Sequence, residues 1–298
     1  GAPNGLVTRR GEVIASWGDT RQADMTFSVA KSYLSLLAGI AWADGLLPDI
    51  DEPVRARVQD GGFESDQNAP ITWRHLLTNT SEWEGELFGK SDLIDRGRDL
   101  AREGAGPKGV ARPLQAPGSY WEYNDVRVNR LALSLLHLFR RPLPEVFAER
   151  ILDPIGGSRD WVWYAYDNAV VEIDGRRLPS VPGGTHWGAG LRIHAEDQEK
   201  VGRLVLRRGD WAGKQLVPAQ WLDWSLSPCP LNPSYGFLWW LNGAGRHPLA
   251  PRSSVFAQGA GGNYTWIWPE GEVVAVARWI HPDALGRFCQ MVVEAVEG

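Results

Sequence analysis

Ser28 and Lys31 stand three residues apart in Met25-Thr-Phe-Ser-Val-Ala-Lys-Ser-Tyr-Leu-Ser-Leu-Leu-Ala-Gly-Ile-Ala-Trp-Ala43, where Lys31 is the only charge between Asp24 and Asp44. The rest of the stretch is apolar, small or hydroxylic and reads as a helix buried on nearly all sides. Residues three apart share a helix face, so the serine hydroxyl and the lysine amine are expected to meet in a dry environment. An ammonium stripped of water and left without a partner is pushed toward its neutral form. A neutral amine can take the serine proton and turn the hydroxyl oxygen into a nucleophile for acyl transfer. Ser28 also falls near the helix start, where the backbone dipole favours negative charge developing on a substrate. A bare Ser-x-x-Lys pair is a weak motif. Lysine is scarce here, however, with five against 26 arginines, and this one lies in the most apolar helix.

The composition narrows what such a site could serve. The 298 residues allow one large domain or two packed ones, with 43% hydrophobic and 22% charged residues. A net charge of −5 with scattered arginines argues against nucleic acid as a partner. The six histidines show no tight ligand spacing, so no metal is expected, and no organic cofactor is called for. At ~1.5 Å per residue the apolar stretch spans roughly 28 Å, long enough to raise the question of a membrane span. Lys31, the hydroxyl side chains and Gly39 argue against one. Cys229 and Cys289 are the only cysteines, enough for one disulfide or none. They leave the compartment open.

The elements that must position the pair follow from pattern. Residues 5–17 read as two short strands around Arg10-Gly11. The buried helix over 25–43 is expected to end at Asp44-Gly45, with Gly45 as its cap. Thr72 opens a short helix to Thr80. Residues 81–119 read as long loops around one short helix near Leu93–Arg102. Val128, Leu131, Leu135 and Leu138 give Asn124–Arg140 one apolar face. Further helices are expected at 144–152, 195–208 and 218–225, and a strand at 170–173 closed by Asp174-Gly175. Tyr235–Leu241 reads as a strand. Gly262–Trp268 and Glu272–Ile280 alternate around Pro269-Glu-Gly271 as a hairpin, and 282–296 as a closing helix striped by Leu285, Phe288, Val292 and Val293. Strands at both chain ends and helices between them predict an α/β (α+β) fold. An antiparallel sheet would be built from residues 1–45 and 175–298, with a mainly helical insertion over 46–174.

Three segments in order resemble the serine penicillin-recognising hydrolases, in particular the class C β-lactamase-like branch. That branch includes β-lactamases, D-alanyl-D-alanine carboxypeptidases, family VIII esterases and 6-aminohexanoate-dimer hydrolases. The segments are Ser28-Val-Ala-Lys31, Pro117-Gly-Ser-Tyr-Trp-Glu-Tyr-Asn-Asp125 and Gly259-Ala-Gly-Gly-Asn263. Ile71–Ser81, Gly183–Asp197 and Tyr235–Trp240 are similar to further stretches of the branch, so the likeness runs nearly the whole chain. It implies a β-lactamase/transpeptidase-like fold. Ser28 would be the acylated nucleophile, Lys31 its proton acceptor or relay, and Tyr123 a proton shuttle to the leaving group. The oxyanion would be held by the N–H groups of Ser28 and Asn263, with Gly261 and Gly262 letting the strand edge come close.

Two departures bear on substrate. Asp125 stands where the branch carries asparagine. Pointing into the site, it would keep Lys31 protonated and make Tyr123 the base; pointing away, it would cap the helix. Ala260 stands where many relatives carry a lysine or histidine that helps hold a substrate carboxylate, which favours neutral esters and amides. Trp121, Trp187 and Trp240 fall in segments near the expected site and are candidates for an apolar wall, alongside Asp125, Gly261 and Gly262 as substrate contacts. The reading is a serine hydrolase of small esters or amides, monomeric or homodimeric. A β-lactamase or D-alanyl-D-alanine carboxypeptidase, and an inactive binding or sensor relative, remain the alternatives.

Overall fold

The computed structural model describes residues 1–98, 100, 108–184 and 188–298. Its centre is a six-stranded sheet in which every neighbouring pair is antiparallel. The strands are β1 (Asn4–Arg9), β2 (Glu12–Trp17), β3 (Trp240–Leu241), β4 (Val255–Gly259), β5 (Asn263–Trp268) and β6 (Val273–Arg278), in the spatial order β3-β4-β5-β6-β1-β2. The chain ends meet where β1 pairs with β6, from Asn4 opposite Arg278 to Arg9 opposite Val273. The β1–β2 turn runs through Arg10 and Gly11, both at positive φ (55° and 85°), the geometry that lets two residues link twisted strands. Every residue of β5 and β6 is buried, as befits central strands covered on both faces.

Helix α1 (Val29–Ala43) lies against β4 and β5 and is buried from Val29 through Ala41. Gly39 is in its interior because the Trp221 ring sits where a Cβ would go, 2.5 Å away, while the Trp221 indole donates to Ser35 O at 2.9 Å. The helix ends at Asp44 with Gly45 at φ 72°, the left-handed exit expected of glycine. Helix α2 (Asp125–Phe139) packs on α1. Its N-cap is Asn124, whose side chain accepts from the N–H groups of Val126 and Arg127. Helix α3 (Ala195–Leu206) covers β1, β5 and β6, with Gly202 close against Val274 and Thr265. Helix α4 (Ala284–Glu297) closes the chain, Phe288 packing edge-on to Trp17 and Trp266. Among the described residues no helix is long and apolar enough to cross a membrane.

Several expectations need correction. The apolar stretch is helical only from Val29, because Asp24–Met25 pairs as a short strand with Gly190–Ile193 and Phe27 takes a left-handed φ of 52°. Tyr235–Leu241 is a tight turn rather than one strand. Leu238 sits at φ 62°, Tyr235 bridges back to Trp240, and only Trp240–Leu241 joins the sheet. Ser32 Oγ fixes that turn by donating to Leu238 O at 2.7 Å. The helix expected over 93–102 is a single 3₁₀ turn, Asp92–Asp95, and Asp99 and residues 101–107 lie outside the described residues. The stripe of α4 turns toward Leu285, Cys289, Val292 and Val296, leaving Phe288 and Val293 half-buried. The strand expected at 170–173 is present, closed by Asp174-Gly175 and paired with Arg176–Pro179. Cys229 and Cys289 are both buried and unpaired.

Candidate active site

Ser28 occupies the N-cap position of α1, half-exposed, directly after the strained Phe27. A left-handed backbone is costly for a bulky residue and persists only where its surroundings hold it. Here the Phe27 ring packs edge-on to Trp279 at 5.8 Å. One turn on, the Lys31 ammonium donates to Ser28 Oγ at 2.7 Å, meets Asp125 Oδ1 at 2.6 Å and reaches Gly183 O at 3.5 Å. Its side chain is 1% exposed and that of Asp125 8%. Burial alone would lower the pKa of Lys31. The Asp125 carboxylate and then the Tyr123 phenol outweigh burial and hold it above the ordinary lysine value. The amine is therefore an ammonium, not the neutral base that burial by itself predicts.

Asp125 enters the site because Asn124 takes over the capping role. Its second oxygen, Oδ2, accepts from Arg98 Nη1 at 3.3 Å, and its N–H donates to Asp95 Oδ2 at 2.9 Å. The Tyr123 ring centroid is 4.8 Å from Lys31 Nζ and 5.1 Å from Arg98 Cζ. Behind it is an aromatic wall. Trp240 stacks on Tyr123 at 5.6 Å, and Tyr235 stands edge-on to Trp240 at 4.8 Å and to Trp121 at 5.4 Å. The buried Tyr235 hydroxyl accepts from Asn79 Nδ2 at 2.9 Å. The outer face of Trp240 carries the Arg246 guanidinium at 4.1 Å.

Gly183 and Gly184 form a strap over the crossing of α1 and α2. Asn129 Oδ1 accepts from both of their N–H groups, at 3.0 and 2.9 Å. A Cβ on Gly183 would strike Leu34, and one on Gly184 would strike Asp125, each at 2.4 Å. Only glycines fit here, and the carbonyl facing Lys31 depends on them.

Sequence reasoning brought Ser28, Lys31, Tyr123, Asp125, Trp121 and Trp240 to one place, and the structure has them together. In the glycine loop, Gly259 comes up to Ser28: a Cβ there would lie 2.1 Å from Thr26 O and 3.2 Å from Ser28 N. Asn263 is already inside β5, opposite Gly259, with its side chain donating to Ala260 O at 2.7 Å. Gly261 abuts Trp279 and Gly262 abuts Ile280 O. Trp187 lies outside the described residues. Sequence reasoning missed Arg98, Tyr235 and Arg246 as site residues. Tyr235 was visible in the Tyr-Gly-x-x-Trp pattern, whereas the two arginines carry no local signal.

This fold, with a serine at the foot of a buried helix and a lysine one turn above it, defines a β-lactamase-type hydrolase scaffold. The chain matches the Beta-lactamase family over residues 6–278 and belongs to it. No curated protein sequence matches it. Solved structures resemble it over nearly its whole length. A putative 6-aminohexanoate-dimer hydrolase from Bacillus anthracis has a TM-score of 0.71 at 17% identity, covering 99% of this chain and 78% of the other. A family VIII carboxylesterase gives 0.69 at 14% identity, over 99% and 92%. EstCE1, a hydrolase with promiscuous acyltransferase activity, gives 0.67 at 19% identity, over 99% and 93%.

Proposed function

We propose that the chain is a serine hydrolase that cleaves small carboxylic esters or amides through an acyl-enzyme on Ser28. The observation that carries this is the 2.7 Å contact between Ser28 Oγ and a buried, carboxylate-paired Lys31. Because Lys31 is held as an ammonium, Tyr123 serves as the general base, its phenolate oxygen taking the proton from Ser28 Oγ. Oγ then bonds to the substrate carbonyl carbon. The negative charge on the carbonyl oxygen is met by the Ser28 N–H and by backbone at Gly259–Ala260, aided by the start of α1. Tyr123 returns the proton to the leaving alcohol or amine as its bond to carbon breaks. Water repeats the sequence and frees the acid. The aromatic wall of Trp121, Tyr235 and Trp240 suits an apolar acyl or leaving group. No metal or organic cofactor takes part. EstCE1, a hydrolase with promiscuous acyltransferase activity and the same fold, is in keeping with this reading.

The test is turnover of p-nitrophenyl butyrate by the parent and by Ser28→Ala. We expect a loss of about 10³-fold or more, together with fluorophosphonate labelling of the parent at Ser28. Equal rates would end the proposal and favour a binding relative of the same fold.

One observation favours a second reading. Arg246 has no carboxylate partner among the described residues, and its charge acts on the phenols of Tyr123 and Tyr264. That supplies a cation beside the aromatic wall and suits an anionic acyl donor such as a β-lactam or a peptide carboxylate. Nitrocefin turnover that falls in Arg246→Ala through a higher KM would select it.

A further inference from the structure

We propose that Trp279 is a positioning residue of this site: it ties the segment that leads into Ser28 to the glycine loop that follows β4, and so sets the width of the pocket in which the substrate oxygen takes up its negative charge. The proposal rests on the hydrolase reading above and extends it to a residue outside all three motif segments.

Two aromatic residues with left-handed backbone face each other next to the nucleophile. Phe27 has a φ of 52° and Trp279 a φ of 58°. Side chains of this size avoid that region and stay in it only where packing holds them. The two rings meet edge to face, with centroids 5.8 Å apart and planes at 84°. Trp279 directly follows β6, which ends at Arg278. The chain turns there, and the Ile280 N–H donates to Gly262 O at 3.3 Å. The indole lies against the loop: a Cβ on Gly261 would come within 2.7 Å of its six-membered ring. Glycine at 261 is therefore a fit to the indole. The indole N–H donates to Asp24 Oδ2 at 2.6 Å. Asp24 Oδ1 accepts from the Met25 N–H at 2.8 Å, so both oxygens of this buried carboxylate have a partner.

One side chain thus holds three segments. Asp24 and Phe27 bracket Thr26, whose N–H and Oγ1 both donate to Leu191 O, at 2.9 and 3.2 Å. On the loop side, Asn263 Nδ2 donates to Ala260 O at 2.7 Å. The two sides pack directly where a Cβ on Gly259 would strike Thr26 O. Trp279 clasps the residues beyond that point, Phe27 on one side and Gly261 on the other. Phe27 precedes the Ser28 N–H, and Gly261 follows the Gly259–Ala260 backbone. These are the donors assigned above to the oxyanion, and Trp279 touches the residue next to each. A hydrogen bond to developing charge weakens steeply with distance, and a misplacement of about 1 Å at such a site can cost ~10²-fold in rate. Trp279 exchanges no proton. It keeps the two halves of the pocket at one separation while charge builds on the carbonyl oxygen.

The experiment compares the parent, Trp279→Phe, Trp279→Leu, Phe27→Leu and the double variant Phe27→Leu/Trp279→Leu on p-nitrophenyl butyrate, with Ser28→Ala as control. Each is also inhibited with phenylboronic acid, whose boron bonds to Ser28 Oγ and presents a tetrahedral, negatively charged centre to the same pocket. Circular dichroism melts on each preparation keep the rates referred to folded protein. We expect Trp279→Leu to lose kcat by about 10- to 100-fold, less than the 10²–10³ for removing an oxyanion donor outright. KM should change by less than about threefold. The boronate inhibition constant should rise by the factor by which kcat/KM falls, as for any probe of transition-state binding. Trp279→Phe keeps a ring against Phe27 and Gly261 and should regain most of the loss. The double variant should fall within about twofold of Trp279→Leu, because both changes cut one contact. Four results would each overturn the proposal: Trp279→Leu as active as the parent, a loss carried by KM alone, boronate affinity unchanged while kcat falls, or single losses that multiply in the double variant. A parent that neither turns over nor labels at Ser28 ends the hydrolase reading itself; with a working parent, those four end this proposal alone.

Discussion

Two clusters of buried charge flank the first turn of α2, and they are built from the same kinds of side chain to opposite ends. Asp125 belongs to one and Arg127 to the other, since residues two apart on a helix point to different sides. Around Arg127, three arginines meet three carboxylates. Arg127 donates to Glu82 at 2.6 Å, Glu122 at 3.1 Å, Asp92 at 3.2 Å and Trp83 O at 3.0 Å. Arg112 takes both oxygens of Glu82, and Arg96 takes Asp92. Each donor is committed to an anion or a carbonyl, and the result ties residues 82–96 to the 112–124 segment that carries Trp121 and Tyr123. Around Asp125 the cations also have carboxylates, but one donor of Lys31 is turned to Ser28 Oγ. A closed cluster makes structure. A cluster with one contact given to a reactive hydroxyl makes chemistry possible.

Breaking each cluster should therefore have different consequences. Lys31→Met should remove about 10³-fold or more of the turnover while the folded state survives, because Arg98 still holds Asp125; kinetics and thermal unfolding on one preparation check this. Arg127→Met should cost about 3–5 kcal/mol by stranding buried carboxylates, read as a lower urea midpoint. Acid separates the contributions further. His247, beside Arg246 and bonded to Gln258, is pushed down from 6.5 to about 4, first by burial and then by Arg246. Its folded form resists protonation, so its share of stability is full above pH 6.5 and is lost as pH falls toward 4. His247→Gln should flatten melting temperature over that window. Burial would raise the carboxyl of Glu82, but Arg112 and Arg127 overrule it and hold it below its ordinary 4.5. The Arg127 cluster should thus weaken only in more acid solution, below 4.5. The exposed pair Arg10–Glu272 is the small end of the scale: Arg10→Ala should change stability by less than about 0.5 kcal/mol, despite its 2.6 Å contact.

What the sequence disclosed follows the range of each interaction. The meeting of Ser28 with Lys31 needs only helix geometry, and the central hairpin of β5 and β6 needs only alternation around Pro269–Gly271. Tyr123 became visible through the Pro117-Gly118 run that leads to it and the Ser28/Lys31 pair, by resemblance rather than by periodicity. The protonation of Lys31 was not legible, because it turns on whether Asn124 or Asp125 caps α2. Both residue types can cap, and only the packed chain decides. Arg98 sits in a charged loop with no period, and its partner is 27 residues away. That Gly259 comes up to Ser28 was not legible, because the register that sets Gly259 opposite Asn263 belongs to the sheet and not to the loop.

Asn124, Asp125 and Arg127 fall within four consecutive positions, so the same helical turn is cap, reaction floor and structural anchor at once. Warming that loosens the anchor must tilt the floor with it, while the central strands, knit by their own ladder, hold on. Heat should silence the protein before it melts it, with turnover fading at temperatures where the circular dichroism of the sheet is still intact.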